Sequence, residues 1–275
     1  MILYRLNNKK ISLISDLKKN KTLREFYDKV YVKGEKKHFT TYRESSSTSE
    51  VKEVLKQISW KSKTVLDVGC GTGFFAYSVA KKGAKVLGID FSEEAIEIAK
   101  SKYSHKNLDF KSIDVSKIKE KFDVIVSNGT LEHMDDPLKT LRLFKKHLNT
   151  KGKIIITSPN WTNPRGYILL TLLYLFKAPI TLVDLHYFTP IDFQNFAKKI
   201  KMKLIWKTFD QSWGHGDILI KDLEKRLPNV LRDTKLPNNK NQISHFIKWI
   251  KINIVSLNND LPHSGATGLY IFHQQ

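Results

Sequence analysis

Val65-Leu66-Asp67-Val68-Gly69-Cys70-Gly71-Thr72-Gly73 is an apolar strand that runs through one acid into a loop with glycine at alternate positions. Three glycines in five residues let the backbone pass within van der Waals distance of a ligand, where side chains would otherwise stand in the way. The run from Phe74 to Lys82 reads as a helix whose first N–H groups point at whatever the loop holds. The dinucleotide fingerprint G-x-G-x-x-G needs glycine at position 74, where this chain has Phe74. A carboxylate at Asp67 would repel a pyrophosphate, and it can instead accept hydrogen bonds from the ammonium group of an amino acid. The loop therefore reads as a site for a nucleoside cofactor that is not a dinucleotide.

The following strands test that reading. Lys85 to Asp90 ends in an acid suited to the two hydroxyls of a ribose, and Phe91 next to it can pack on a purine ring. Ser92 caps the next helix, with Glu93 and Glu94 in its first turn. A third strand, Leu108 to Ile113, leads into Asp114-Val115, where a carboxylate can accept an exocyclic adenine N–H; a helix-capping role is the plainer reading of Asp114. A fourth, Phe122 to Asn128, runs into Gly129-Thr130-Leu131-Glu132-His133-Met134-Asp135-Asp136-Pro137, which lacks the Asn/Asp-Pro-Pro-aromatic turn of enzymes that methylate planar amino nitrogens.

The pattern D-x-G-x-G-x-G of residues 67–73 resembles motif I of the class I S-adenosylmethionine-dependent methyltransferases. The Leu-Glu-His-x-x-Asp-Pro segment of residues 131–137 is similar to that of their small-molecule branch, which includes the ubiquinone-biosynthesis O-methyltransferases. The resemblance implies S-adenosylmethionine as cofactor. Asp67, Gly69, Cys70, Gly71 and Gly73 would hold its methionine end with Asn128 alongside, Asp90 the ribose, and Phe91, Asp114 and Val115 the adenine. Some of that branch carry a further Glu three residues before the Glu-His pair; Gly129 stands there, so no metal is expected. Methyl transfer to a hydroxyl is an in-line displacement that needs alignment, exclusion of water and removal of a proton, and imidazole suits the last step near neutral pH. His133 is the candidate base, with orientation of its own loop as the alternative role.

Asp136-Pro137 opens a helix with Leu138, Leu141, Phe144 and Leu148 on one face, and Lys153 to Thr157 is a fifth strand. Strands and helices thus alternate with short connections, which implies a parallel sheet with right-handed crossovers. A helix from Thr189, a strand over Met202 to Phe209 and a last apolar run, Gly268 to His273, complete the pattern. The expected fold is α/β: a Rossmann-like, doubly wound, seven-stranded and mostly parallel sheet with an antiparallel last strand, an N-terminal helical segment and a helical lid insertion. Expected boundaries are 1–50 for the N-terminal cap, 51–160 for the cofactor-binding core, 161–188 for an apolar lid and 189–275 for the rest of the sheet, with a helical insertion at about 214–260. Ser45 to Ser49 reads as a joint between cap and core.

The 275 residues are 41% hydrophobic, enough for a substantial core. A single cysteine excludes an internal disulfide and points to a reducing cytoplasm, and the first residues lack the sustained apolar run of a secretory signal. Cys70 within the loop reads as a small residue rather than a nucleophile. The formal charge of +20 draws the chain towards phosphates or anionic lipid, yet only seven of its 47 basic residues are Arg and the lysines are dispersed. Nucleic acid is therefore the weaker partner. An RNA methyltransferase and a non-catalytic cofactor-binding scaffold are the alternatives to a small-molecule methyltransferase.

The acceptor side falls on less regular segments. Tyr27, Tyr31 and Tyr42, with His38, are interleaved with lysines ahead of the core; Arg165, Asp184, His186 and Tyr187 lie in the insertion and at its exit. The insertion includes an apolar stretch, Tyr167 to Phe176, too short to span a bilayer. Apolar all round, it should be buried, either as a lid, against a second copy in a homodimer, or in lipid. Gln242 to Val255 puts Ile243, Phe246, Ile247, Ile250 and Ile254 on one face and lysines elsewhere, so its apolar side is either core or rests on an anionic membrane. The acceptor is expected to be a sugar, a quinone-like molecule or a lipid-linked substrate.

Overall fold

A computed structural model describes residues 43–274 except 179, 182, 183 and 258–260, and residues 43–48 by their backbone alone. Tyr27, Tyr31, His38 and Tyr42 lie outside the described residues. Seven strands form one sheet: β1 (Thr64–Val68), β2 (Lys85–Asp90), β3 (Leu108–Ser112), β4 (Phe122–Asn128), β5 (Leu148–Pro159), β6 (Lys203–Phe209) and β7 (Thr267–His273). Their spatial order is β3-β2-β1-β4-β5-β7-β6; β7 runs antiparallel to both neighbours, and the other pairings are parallel. The antiparallel strand is thus inserted between β5 and β6 rather than laid along the edge.

The central strands read as continuous apolar runs because helices cover both faces. Leu66, Ile125, Ile154, Ile156, Tyr270 and Phe272 face one layer, and Val65, Val124, Val126, Ile155 and Leu269 face the other. The first layer contains α4 (Pro137–Lys146) and α6 (Pro190–Ile200); the second contains α1 (Arg43–Leu55), α2 (Phe74–Ala80) and α3 (Glu93–Lys102). Ser92 caps α3, its hydroxyl accepting from the Ala95 N–H, and Asp136 does the same for α4 from Lys139, with Pro137 in the first turn. At the sheet edge β6 exposes Lys203 and Lys207, charges that discourage pairing with another chain.

Three expectations change. Residues 45–49 are helical, within α1, so they form no joint. That helix is held down: Val51 and Val54 are buried, and Ser49 Oγ donates to Asp210 Oδ1 at 2.9 Å. The fifth strand begins five residues early, at Leu148, and its register against β4 shifts between Phe122 and Val124, an irregularity that alternation alone does not reveal. The apolar helix α5 (Pro164–Phe176) buries only Gly166, Leu169 and Leu173, leaving Tyr167, Tyr174, Leu175 and Phe176 exposed. After β6 come a single turn, α7 (Gln211–Gly214), then α8 (Asp217–Asp233) and α9 (Lys240–Asn253), which pack on α5 as a separate apolar cluster. None of the described helices is long and apolar enough to cross a membrane.

Candidate active site

The strand order reverses between β1 and β4. In an open α/β sheet the crevice beyond the carboxyl ends of the strands at such a reversal is where ligands bind. Here it is walled by the glycine loop after β1 and by residues 129–136 after β4. A cleft of about 370 Å³ lined by Asp90, Phe91, Asp114, Val115, Met134 and Leu143 meets a smaller one of about 180 Å³ that reaches Asn128 and Gly129. Gly69, Asp90, Phe91, Thr130 and His133 line both.

The loop is seated on the end of β2. Gly69 and Cys70 donate their N–H groups to the Ile89 carbonyl, and Gly71 N–H donates to Asp90 Oδ2 at 2.9 Å, while Asp90 Oδ1 accepts from Ser92 N–H at 3.0 Å. Gly69 and Gly73 have φ of +75° and +85°. A Cβ at Gly69 would lie 2.4 Å from the Thr130 side chain, and one at Gly73 would lie 2.6 Å from Phe110 and 2.9 Å from Ala99. Side chains are excluded there on two counts, backbone conformation and space. Cys70 fills the position as a small group: burial pushes its thiol pKa well up, and it stays a thiol.

Asp67 is the unusual residue of the site. It is 2% exposed, and its Oδ2 has no hydrogen-bond partner among the described residues. Burial first, and the neighbouring Asp90 second, push its carboxyl up to about 8. A buried acceptor of this kind is costly unless a donor arrives, and best satisfied by a cation. Asp114 accepts the Ser116 N–H at 2.8 Å, capping the 3-10 turn Val115–Lys117, and it also lines the cleft, so both roles weighed for it are compatible.

His133 ends a 3-10 turn, Leu131–His133, at the junction of the two cavities. Its Nδ1 is 3.4 Å from Asp184 Oδ1, with both side chains largely buried. Glu132, next to it in sequence, points elsewhere: it is buried, accepts from Ser158 Oγ at 3.1 Å, and burial pushes its carboxyl well up. Asp184 is also raised by burial, an effect that the His133 beside it partly offsets. The acid that faces the histidine thus comes from the exit of the insertion, about fifty residues on, and local sequence carries no sign of the pairing.

The other acceptor candidates are placed differently. His186 Nε2 donates to the Met134 carbonyl at 2.8 Å and its ring stacks on Phe188, while the Leu185 and His186 N–H groups both donate to the Glu132 carbonyl. It pins the insertion to the Glu-His turn and lines neither cavity. Tyr187 packs edge-on against Trp161, with its hydroxyl 3.3 Å from Thr181 Oγ1. Arg165 is in a buried ion cluster: its Nε donates to Asp222 Oδ2 at 2.9 Å, Arg226 donates to the same carboxylate, and its guanidinium lies between the rings of Trp161 and Trp213. Sequence reading missed Thr130, Met134, Lys139 and Leu143 as cleft residues. Lys139 and Leu143 stand one helical turn apart on α4, off the apolar face of Leu138, Leu141 and Phe144, and that spacing is the signal that could have found them.

Residues 59–189 match a family model described as a methyltransferase domain. The sheet order, the glycine loop and this match agree. Over residues 59–189 the chain is therefore similar to methyltransferase domains. The domain is 34% identical over 123 residues to the ubiquinone biosynthesis O-methyltransferase of Coxiella burnetii, an alignment covering 43% of this chain and 52% of that protein. The chain therefore spans about half the length of the curated relatives it matches. Among solved structures, a Haloferax volcanii methyltransferase in complex with the Trm112 activator superposes with a TM-score of 0.59 at 13% identity, covering 90% of this chain and 96% of that one. Magnesium protoporphyrin IX methyltransferase from Synechocystis, with bound SAH, superposes with a TM-score of 0.55 at 14% identity, covering 68% of this chain and 91% of that one. At such identities these two attest the fold alone.

The methyltransferase cleft fits S-adenosylmethionine on its own geometry. The Asp67 oxygen left without a partner among the described residues suits an amino-acid ammonium, Gly69 lines both cavities with no side chain in the way, and Asp90, Phe91 and Asp114 line the length that a nucleoside needs. Among the described residues no three of His, Cys, Asp and Glu converge as a metal-binding group.

Proposed function

We propose that this methyltransferase transfers the methyl group of S-adenosylmethionine to a hydroxyl oxygen of a small molecule, with His133 as base and Asp184 as its positioning partner. The observation that carries the reading is the 3.4 Å approach of His133 Nδ1 to Asp184 Oδ1 where the two cavities join. The cofactor, when bound, supplies an electrophilic methyl on a sulfonium. Asp67 and the loop hold the methionine end, and Asp90, Phe91, Asp114 and Val115 hold the nucleoside, which fixes the direction of the displacement. Asp184 accepts from Nδ1–H and so makes Nε2 the basic nitrogen of His133. Nε2 takes the hydroxyl proton as the oxygen attacks, and the buried carboxylate steadies the imidazolium that results.

A quinone-like phenol suits this arrangement best, in line with the relatives' names, with a sugar or lipid-linked alcohol as further acceptors of the same chemistry. The test is His133→Ala with a hydroxylated acceptor panel: kcat should fall by about 10² to 10⁴ while the affinity for the demethylated cofactor stays within about threefold. Equal loss of both would remove His133 from the chemistry. Tritiated-methyl transfer to total RNA, run beside a small-molecule extract, separates the RNA alternative, and label on RNA alone would overturn the proposal.

A further inference from the structure

The tertiary structure brings together two segments that lie more than sixty residues apart. Helices α5, α8 and α9 enclose an open apolar groove of about 380 Å³, lined by Ile168 and Leu172 of α5, Leu227 and Leu231 of α8, and Ile243 and Phe246 of α9. The same two outer helices also show large apolar side chains to solvent: Tyr174, Leu175 and Phe176 at 58%, 71% and 50% exposure, and Trp249 and Ile252 at 55% and 57%. Exposed apolar side chains in such number mark an interaction site. The segment that supplies α9 is basic: from Thr234 to Leu257 the chain carries Lys235, Lys240, Lys248 and Lys251 and no acid.

We propose that the outer faces of α5 and α9 dock on an anionic lipid bilayer, with the lysines meeting the headgroups and the aromatic residues entering the interface. Trp and Tyr favour that depth because each has an apolar body and a polar tip. Each lysine near an anionic surface adds attraction that salt screens. A second copy of the chain is the poorer occupant, because a segment with four lysines and no acid on a +20 chain would meet its own charge. The inference stands on this surface and does not depend on the role of His133.

Co-sedimentation with phosphatidylcholine vesicles, with and without phosphatidylglycerol, tests it on the full chain. Binding should require the anionic lipid and be lost at high salt. Lys248→Ala with Lys251→Ala should weaken it by about 30-fold. Trp249→Asp with Leu175→Asp should abolish it, while affinity for S-adenosylhomocysteine, measured by calorimetry, stays at the parent value and shows that the fold is intact. If the apolar pair disturbs the fold, the lysine pair, whose side chains are exposed, decides alone. No preference for anionic vesicles, or full binding by the lysine pair, would overturn the proposal. So would sedimentation equilibrium that finds a dimer dissociated by Trp249→Asp, since the face would then be an interface between copies.

Discussion

Asp67 and Asp184 are buried carboxyls with opposite requirements. Asp67 has an oxygen with no partner among the described residues, and the arrival of an ammonium would satisfy it. Asp67→Asn should therefore weaken cofactor affinity by at least about tenfold, the loss of a charge-assisted hydrogen bond, as measured by calorimetric titration. Asp184 already has its partner in His133. Asp184→Asn removes the carboxylate that faces the imidazole, and kcat should fall about tenfold with the acceptor KM and the cofactor affinity little changed. A residue that merely held the loop in place would change KM and cofactor affinity along with kcat. In the sequence, the way His133 would orient its own loop is a hydrogen bond to the backbone or to Glu132. The structure assigns that side chain to Ser158 and leaves the histidine to an acid from the far side of the insertion.

At the scale of elements, the insertion is tied to the rest of the molecule by charge as well as by apolar contact. Arg165 of α5 and Arg226 of α8 share Asp222, and Arg226 Nη1 also donates to the Ile180 carbonyl. Burial alone would push Asp222 up, but the two guanidiniums hold it down at about 2. Asp222→Asn would leave two cations in a poorly solvated place and should cost about 3–5 kcal/mol in urea unfolding at neutral pH. The sign follows from the depressed pKa: the carboxylate's contribution is complete above its ordinary value and disappears as pH falls towards 2. The difference between parent and variant should be flat from about pH 5 to 8 and shrink below about pH 4. Periodicity makes α5 apolar all round, and burial was the natural expectation. Five of its thirteen residues are instead exposed, because α8 and α9 cover one side only.

At the scale of the whole molecule, cofactor binding and folding are linked through Asp67. Its folded-state pKa, raised to about 8, means that the ligand-free protein loses stability as pH rises from the ordinary carboxylate range through that value. An ammonium beside it restores the charged form, so binding releases a proton and tightens with pH. With S-adenosylhomocysteine at about 100 times its Kd, thermal unfolding should rise by about 5–10 °C. That increment should grow between about pH 6 and 7.5, below the pKa of an α-ammonium group, and Asp67→Asn should flatten it.

The sequence by itself determined the sheet, the loop and the donor end of the site. Those features rest on local rules: alternation and apolar runs for strands, capping residues for helix starts, and glycine where φ is positive and no Cβ fits. Asp67, Asp90 and Asp114 stand out because each lies near the carboxyl end of a strand at a readable spacing. The tertiary structure alone decided the partner of His133, the burial of Arg165 against Asp222, and the meeting of α5 with α9. These are contacts between segments tens of residues apart in side-chain positions that no periodicity marks, set by how the insertion after β5 folds back over the switch point and packs against the helices after β6.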